Sequence, residues 1–372
     1  MIIAGETSGD LHGSLLVKEL KALRPDAELY GIGGDLMQGA GMELLYHIRE
    51  FSFMGVVEVL GHLPFIRSVM RTLTSLLSTR RPDLVVLIDY HGFNLRFARK
   101  AHQQGIPVVY YVSPQVWAWG QGRVRTIRRL VKQMLVILPF EQEFYRRHRV
   151  PAVYVGNPLL DIAKPSLSRE EFGRRQGLDP RRPVIGLLPG SRQQEIELIL
   201  PVMLETCALL HAQDQSLQFA LGLAPHVDRD TVERMVQRSG LAVTLVPDQP
   251  YDVMAHSRLA LVASGTATLE CGIIGTPMII IYRTSALTYA IGHAMIRVPF
   301  IGLVNFVAGK QVIPEFVQRE ARPGAIFLMA QILIPDGPPR AAVIAELAKI
   351  KTLLGEPGAA CRAAALIAEL LP

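Results

Sequence analysis

Arg192 lies in LLPGSRQQEIE (187–197), where an apolar strand runs through Pro189, Gly190 and Ser191 into a helix. A helix that starts there presents unpaired backbone N–H groups beside a fixed positive charge, a geometry that favours phosphate. A second such element, SGTATLE (264–270), follows the strand LALVAS. Ser264, Gly265 and Thr266 bring small side chains, hydroxyls and N–H groups to a helix start, and Glu270 one turn on offers a carboxylate to vicinal hydroxyls such as those of a ribose. Each alone also reads as an ordinary capped helix. Together they read as a diphosphate clamp with a ribose hook. Neither matches the Walker pattern and no GxGxxG follows a strand, so P-loop ATPase and ordinary NAD readings lose support.

The first half of the chain carries other candidates. In GETSGDLHG (5–13), glycines flank Glu6, Ser8 and Asp10. The glycines, Gly9 among them, permit close approach of a ligand, while Ser8 or Asp10 caps the helix that follows. Asp89 ends a buried strand in LIDYHGFN, where a carboxylate can have its pKa raised and act as a general base. A loop-start aspartate bonding backbone amides fits the same pattern, and His91 is a competing base. Trp117 and Trp119 precede Arg123, Arg125, Arg128 and Arg129 in YYVSPQVWAWGQGRVRTIRR (110–129). They read either as rings that stack on a sugar or sit at a membrane interface beside phosphate-pairing arginines, or as core tryptophans next to a solvated helix face. The apolar stretch SFMGVVEVLGHLPFI (52–66), with Met54, Gly55 and Glu58, reads by pattern as core.

Positioning these residues requires strands that end near one another. With 372 residues the chain suits two domains. Apolar runs alternate with helical periodicity from residue 1 to 282, and continuous apolar strands of this kind belong to parallel sheets in βαβ units. The fold class expected is α/β, with two doubly wound domains facing a cleft. The polar, proline-containing stretch after Gly156 sets the boundaries: residues 1–160, a linker at 161–183, a second domain at 184–335, and C-terminal helices at 336–372 that can pack back on the first domain. The chain from residue 283 onward is expected to be helical. Net charge is +6, the isoelectric point ≈ 9.3 and mean hydropathy +0.26. This balance allows an anionic membrane or a phosphorylated ligand. The basic residues are not interleaved with an RNA-binding signature, so nucleic acid is not expected. Three scattered cysteines argue against disulfides and a zinc site and favour a cytosolic setting. No signal peptide or membrane-spanning run is visible, and oligomerisation is left open.

These pieces, in this order, resemble the lipid-A-disaccharide synthase family. The resemblance is carried by AGETSGDLHG, GIGG, MGVVEVL, LID followed by Phe93 and Asn94, YYVSPQVWAW, LPFEQEFY, VGNPL, LLPGSRQQEI, SGTATLE and NFVAGKQVIPEFVQ, from residue 4 to about 318. It implies a GT-B fold and an inverting transfer of 2,3-diacylglucosamine from UDP to 2,3-diacylglucosamine 1-phosphate (lipid X). By the same resemblance Asp89 is the base, Arg192 meets the diphosphate with Ser264 to Thr266, and Glu270 takes the ribose. Glu6, Ser8, Gly9, Asp10, Met54, Gly55, Glu58, Asn94, Trp117, Trp119 and Arg123 fall on the acceptor or lipid side, and Asn305, Glu315 and Gln318 on the donor side without an assigned role. No metal or other cofactor is implied, and the protein is expected peripherally on the inner face of the cytoplasmic membrane. The chain departs from the family's Asp-x-Pro-Asp-Phe-Asn at His91 and Gly92, and carries Gly120 and Asn157 where arginine and histidine are frequent.

Overall fold

The computed structural model describes residues 1–51, 63–118, 120–224, 227–285, 289 and 299–372. Met54, Gly55, Glu58 and Trp119 lie outside the described residues, as does the side chain of His91. The chain forms two compact units, Met1–Pro158 with Glu356–Pro372, and Leu159–Gly355.

Unit 1 is built on seven parallel strands: β1 (Ile2–Ala4), β2 (Tyr30–Gly33), β3 (Glu43–His47), β4 (Val85–Ile88), β5 (Val108–Tyr111), β6 (Gln133–Val136) and β7 (Ala152–Tyr154). Their spatial order is β3-β2-β1-β4-β5-β6-β7. The order reverses between β1 and β4, where Ala4 pairs with Ile88. Helices α1 (Thr7–Leu23), α2 (Asp35–Gly39), α3 (Leu63–Thr79), α4 (His91–Gln103), α5 (Val124–Leu130) and α6 (Pro139–Arg147) surround the sheet. β4 and β5 are buried at every position, as apolar strands covered on both faces must be.

Unit 2 repeats the plan with β8 (Val184–Leu188), β9 (Gln218–Leu223), β10 (Val243–Pro247), β11 (Leu259–Ala263), β12 (Met278–Tyr282) and β13 (Glu315–Val317), in the order β10-β9-β8-β11-β12-β13. Here the reversal falls between β8 and β11, with Leu188 opposite Val262. Its helices include α7 (Leu159–Ile162), α8 (Arg169–Gln176), α9 (Gln193–Gln213), α10 (Arg229–Ser239), α11 (Pro250–His256), α12 (Thr266–Ile274), α13 (Leu303–Ala308), α14 (Pro323–Leu333) and α15 (Pro338–Leu353); α16 (Ala359–Ala368) belongs to unit 1.

Two expectations are corrected, and the return of the C-terminal helices to the first unit holds for one helix of the pair. Residues 161–183 are not a free linker: Asp252 of α11 accepts bonds from the Ser166 N–H (2.8 Å), the Ser166 hydroxyl (2.6 Å) and the Leu167 N–H (2.8 Å), and Phe172 is buried, so this stretch is docked on unit 2. The two C-terminal helices part company. α15 packs on α12 and α13 within unit 2, whereas the alanine-rich face of α16 covers Leu16, Val17 and Leu20 of α1. Arg362 locks α16 in place by donating to the carbonyls of Val155, Glu356 and Pro357, each at 2.8 Å. The region after residue 283 is not purely helical, because β13 lies within it. β3 and β13 are edge strands with half-buried residues, so neither leaves the continuous apolar run that marks an interior strand.

Candidate active site

In an open α/β sheet, ligands bind at the carboxyl ends of the strands where the order reverses. In unit 2 the loops at that point are Pro189–Arg192 after β8 and Ser264–Thr266 after β11. Gly190 has φ +112°, and a Cβ there would stand 2.6 Å from a Glu195 carboxylate oxygen. Only glycine turns the chain this tightly into α9. Arg192 is the N-cap residue of α9; its Nη1 donates to Glu195 Oε1 at 3.2 Å, and its side chain is about half exposed at 49%. Tyr282, at the end of β12, feels both groups. Burial raises its phenol pKa, Glu195 raises it further, and Arg192 lowers it. Arg192, Glu195 and Tyr282 therefore form one charged and polar group at the mouth of β8. Glu195 and Tyr282 were not singled out from the sequence, although an acid three residues after the cap is a recognisable signal.

Ser264 is tied into the fold. Its N–H donates to the Ile281 carbonyl at 3.0 Å and its hydroxyl to the Ile301 carbonyl at 2.8 Å, so its donors seat the loop instead of facing a phosphate. Gly265 and Thr266 are exposed at the start of α12, where unpaired N–H groups and the positive end of the helix dipole remain. Glu270 is half-buried and accepts the Tyr251 hydroxyl at 3.0 Å; burial raises its carboxyl pKa and the bond from Tyr251 opposes the rise.

Asn305, Glu315 and Gln318 acquire framework roles. Asn305 is fully buried: its amide donates to the Ile313 carbonyl and to Glu315 Oε1, each at 2.8 Å, and its oxygen accepts from the N–H groups of Val312 (2.8 Å) and Ile313 (2.9 Å). The Glu315 carboxylate also accepts from the N–H groups of Ile301 and Gly302, each at 2.9 Å, at the start of α13. Since the Ile301 carbonyl seats Ser264, the chain of bonds runs from β13 to the α12 loop. Gln318 donates to the Thr284 carbonyl at 3.1 Å just after β12.

In unit 1 the reversal point brings Gly5–Glu6 beside Asp89–Tyr90. Asp89 and Tyr90 both take left-handed backbone angles, φ +44° and +43°, as does Val112 at +59° on the next strand end. Such angles in non-glycine residues persist only where surrounding bonds enforce them. The Asp89 carbonyl accepts from the buried Asn94 amide at 2.9 Å and from the Tyr110 hydroxyl, while the Asp89 N–H donates to the Val112 carbonyl at 3.2 Å. The backbone of Asp89 is held, and its carboxylate is half-buried at the sheet edge. The Tyr90 ring lies where a Gly5 side chain would be, 2.2 Å from an ideal Cβ, and Glu6 is close enough to raise the Tyr90 phenol pKa after burial does.

Asp10 is buried and its carboxylate is bonded within the fold. Its carboxylate accepts from the N–H groups of Gly34 (2.7 Å), Leu36 (3.2 Å) and Met37 (3.0 Å), capping α2 instead of its own helix. Gly9 lets α1 approach Ala4, and Ser8 is half-buried in the first turn. Trp117 is held from behind: its indole N–H donates to Glu141 Oε1 at 3.0 Å and its ring meets Phe140 edge-on at 4.9 Å. Glu141, fully buried, also accepts the Leu138 N–H at 3.1 Å, and burial pushes its carboxyl up to about 8. Ser113 and Tyr145, bonded to each other at 2.7 Å, complete the network. Among the described residues no group of three or more His, Cys, Asp or Glu side chains is placed to hold a metal, and no helix is long and apolar enough to cross a membrane.

Two parallel α/β sheets, each with its polar loops at a switch point, define the architecture of the GT-B nucleotide-sugar enzymes. Solved structures share it. A putative UDP-N-acetylglucosamine 2-epimerase from Listeria monocytogenes matches with TM-score 0.67 at 13% identity, over 99% of this chain and 95% of that one. The glycosyltransferase of kitacinnamycin matches with TM-score 0.65 at 17% identity, over 100% and 98%. At such identities the likeness speaks for the fold alone. Sequence is more specific: residues 1–367 match the family model for lipid-A-disaccharide synthetase. The lipid-A-disaccharide synthase of Myxococcus xanthus is 43% identical over all of this chain and 97% of its own length, and that of Geobacter sulfurreducens is 44% identical over the same shares. The chain belongs to the lipid-A-disaccharide synthase family.

Proposed function

We propose that this protein condenses UDP-2,3-diacylglucosamine with 2,3-diacylglucosamine 1-phosphate, giving the β-1,6-linked disaccharide 1-phosphate and UDP. The observation that carries the residue assignment is the carboxylate of Asp89, presented at the switch point of unit 1 by a backbone held in the left-handed region. In this reading Asp89 takes the proton of the acceptor 6-hydroxyl as that oxygen bonds to C1 of the donor sugar. The C1–O bond to the diphosphate breaks and UDP departs with the electron pair. Arg192 and the N-termini of α9 and α12 meet the charge that develops on the leaving diphosphate, so we assign no metal or other cofactor to the step. Glu270, oriented by Tyr251, takes the ribose hydroxyls, and Glu195 and Tyr282 hold Arg192. Both substrates carry acyl chains, which supports a peripheral protein at a membrane surface, and we assign it to the cytoplasmic face.

Thin-layer separation of products from the two substrates tests the reaction. Asp89→Asn and Arg192→Ala are each expected to lose about a hundredfold or more in kcat, the order associated with a lost base or a lost charge stabiliser. Asp89→Asn keeps its affinity for UDP, whereas Arg192→Ala loses it. Full turnover in Asp89→Asn would remove Asp89 from the mechanism.

A further inference from the structure

The proposed reaction does not use a basic cavity of unit 1. On the flank of unit 1 a pocket of about 250 Å³ is lined by Gly92, Leu95, Arg96 and Arg99 of α4 and by Arg123 and Thr126 at the start of α5. The four α4 residues fall at positions i, i+3, i+4 and i+7, a single face of the helix. Three guanidinium groups and a hydroxyl line it, with no carboxylate among the described lining residues. Several described arginines elsewhere are ion-paired, such as Arg80 with Glu28 and Glu43, or Arg146 and Arg147 with Glu143. Arg96 and Arg99 have no ion pair with any described residue. Gly92 also lies in the first turn of α4, whose N-cap residue Tyr90 makes no side-chain cap. The helix dipole adds to the positive field at that end.

We infer that this pocket binds the phosphomonoester of the acceptor. The inference rests on the condensation proposed above and adds the subsite that recognises one substrate. Asp89 ends the strand that leads into α4, and Gly92 to Arg99 run ~10 Å further along that helix. The 6-hydroxyl and the C1 phosphate leave a glucosamine ring from opposite ends, so one sugar can offer its hydroxyl to Asp89 and its phosphate to the arginines. The cavity is smaller than the ~300–1,000 Å³ of sites that engulf a whole ligand, and it suits a single charged group. Arginine forks bind phosphate oxygens in pairs, which a lone lysine does not match.

The test compares the phosphorylated acceptor with its dephosphorylated counterpart, both presented in neutral detergent micelles, for wild type, Arg96→Gln, Arg99→Gln and the double variant. Arg96 and Arg99 are exposed, and a thermal melt checks that each variant folds. Each single change is expected to raise the KM for the phosphorylated acceptor about tenfold or more and the double change about a hundredfold. The preference for the phosphorylated acceptor should collapse, while the KM for the donor holds. Arg99→Lys should restore only part of the preference. An unaltered preference in the double variant overturns the inference. So does a loss seen only when the acceptor is presented in phosphatidylglycerol vesicles with the preference intact, since the pocket would then be reading membrane headgroups. A wild-type protein inert toward both acceptors sinks the reaction and this subsite with it, a result separable from the others because it does not involve the arginines.

Discussion

At the scale of single residues, buried titratable groups in unit 1 make a pH signature. Burial lowers the His12 imidazole to about 4 and raises the Glu141 carboxyl to about 8. The unfolded chain protonates His12 below its ordinary value of about 6.5 while the folded chain does not, so stability is lost as pH falls from there towards 4. Glu141 works the other way. The folded state keeps a proton that the unfolded state releases near 4.5, so its contribution is full below that pH and is lost as pH rises through about 8. Between about 4.5 and 6.5 the two slopes oppose each other. Burial also lowers the N-terminal amine of Met1 to about 5, so its contribution rises with pH between about 5 and 8 and opposes that of Glu141. The Glu141 effect is therefore read from the difference between wild-type and Glu141→Gln melting curves, which should shift against the wild type by an amount on the order of a few kcal/mol between pH ~4.5 and ~8. A difference that stays constant over this range would show that Glu141 is already ionised in the folded protein.

At the scale of elements, the switch-point loops of unit 2 are held by polar residues buried behind them. Asn305 joins α13 to the strand edge through four bonds, and Glu315 continues the connection to Ile301 and so to Ser264. Asn305→Ala takes this partner from the N–H groups of Val312 and Ile313 and from the Ile313 carbonyl, while Glu315 Oε1 keeps the Gly302 N–H. A loss of about 2–4 kcal/mol is expected in denaturant unfolding, where each buried unsatisfied group costs ~1–3 kcal/mol. UDP affinity should fall with it, although Asn305 is fully buried. Unchanged stability and affinity together would mean that the loop is held by other contacts.

At the scale of the molecule, net charge +6 and the exposed Arg125, Arg128 and Arg129 favour an anionic surface. The protein is expected to cosediment with vesicles containing phosphatidylglycerol and not with neutral phosphatidylcholine vesicles. That binding should weaken as salt shortens the Debye length below ~8 Å. Arg125→Gln, Arg128→Gln and Arg129→Gln combined should weaken it further. Equal binding to both vesicle types would assign the attachment to apolar contact instead of charge.

The interior of both sheets was legible from the sequence, because a strand covered on both faces must be apolar throughout, and VVLI, VVYY and LALVA say so without reference to anything distant. The four switch-point loops were legible for a related reason: glycines and small hydroxyl residues directly after such strands are local signals. Edge strands β3 and β13 escaped, since half-buried residues carry no clean pattern. What only the tertiary structure decided was partnership. Asp10 caps a helix twenty-five residues away in sequence from its own first turn, Ser264 turns its hydroxyl to Ile301, Trp117 leans on Glu141, and the last helix returns to α1. A residue's type states which bonds it can make. Which of them it does make depends on what long-range folding brings within hydrogen-bond reach, and in this chain that is what takes the Asp10 carboxylate into the framework.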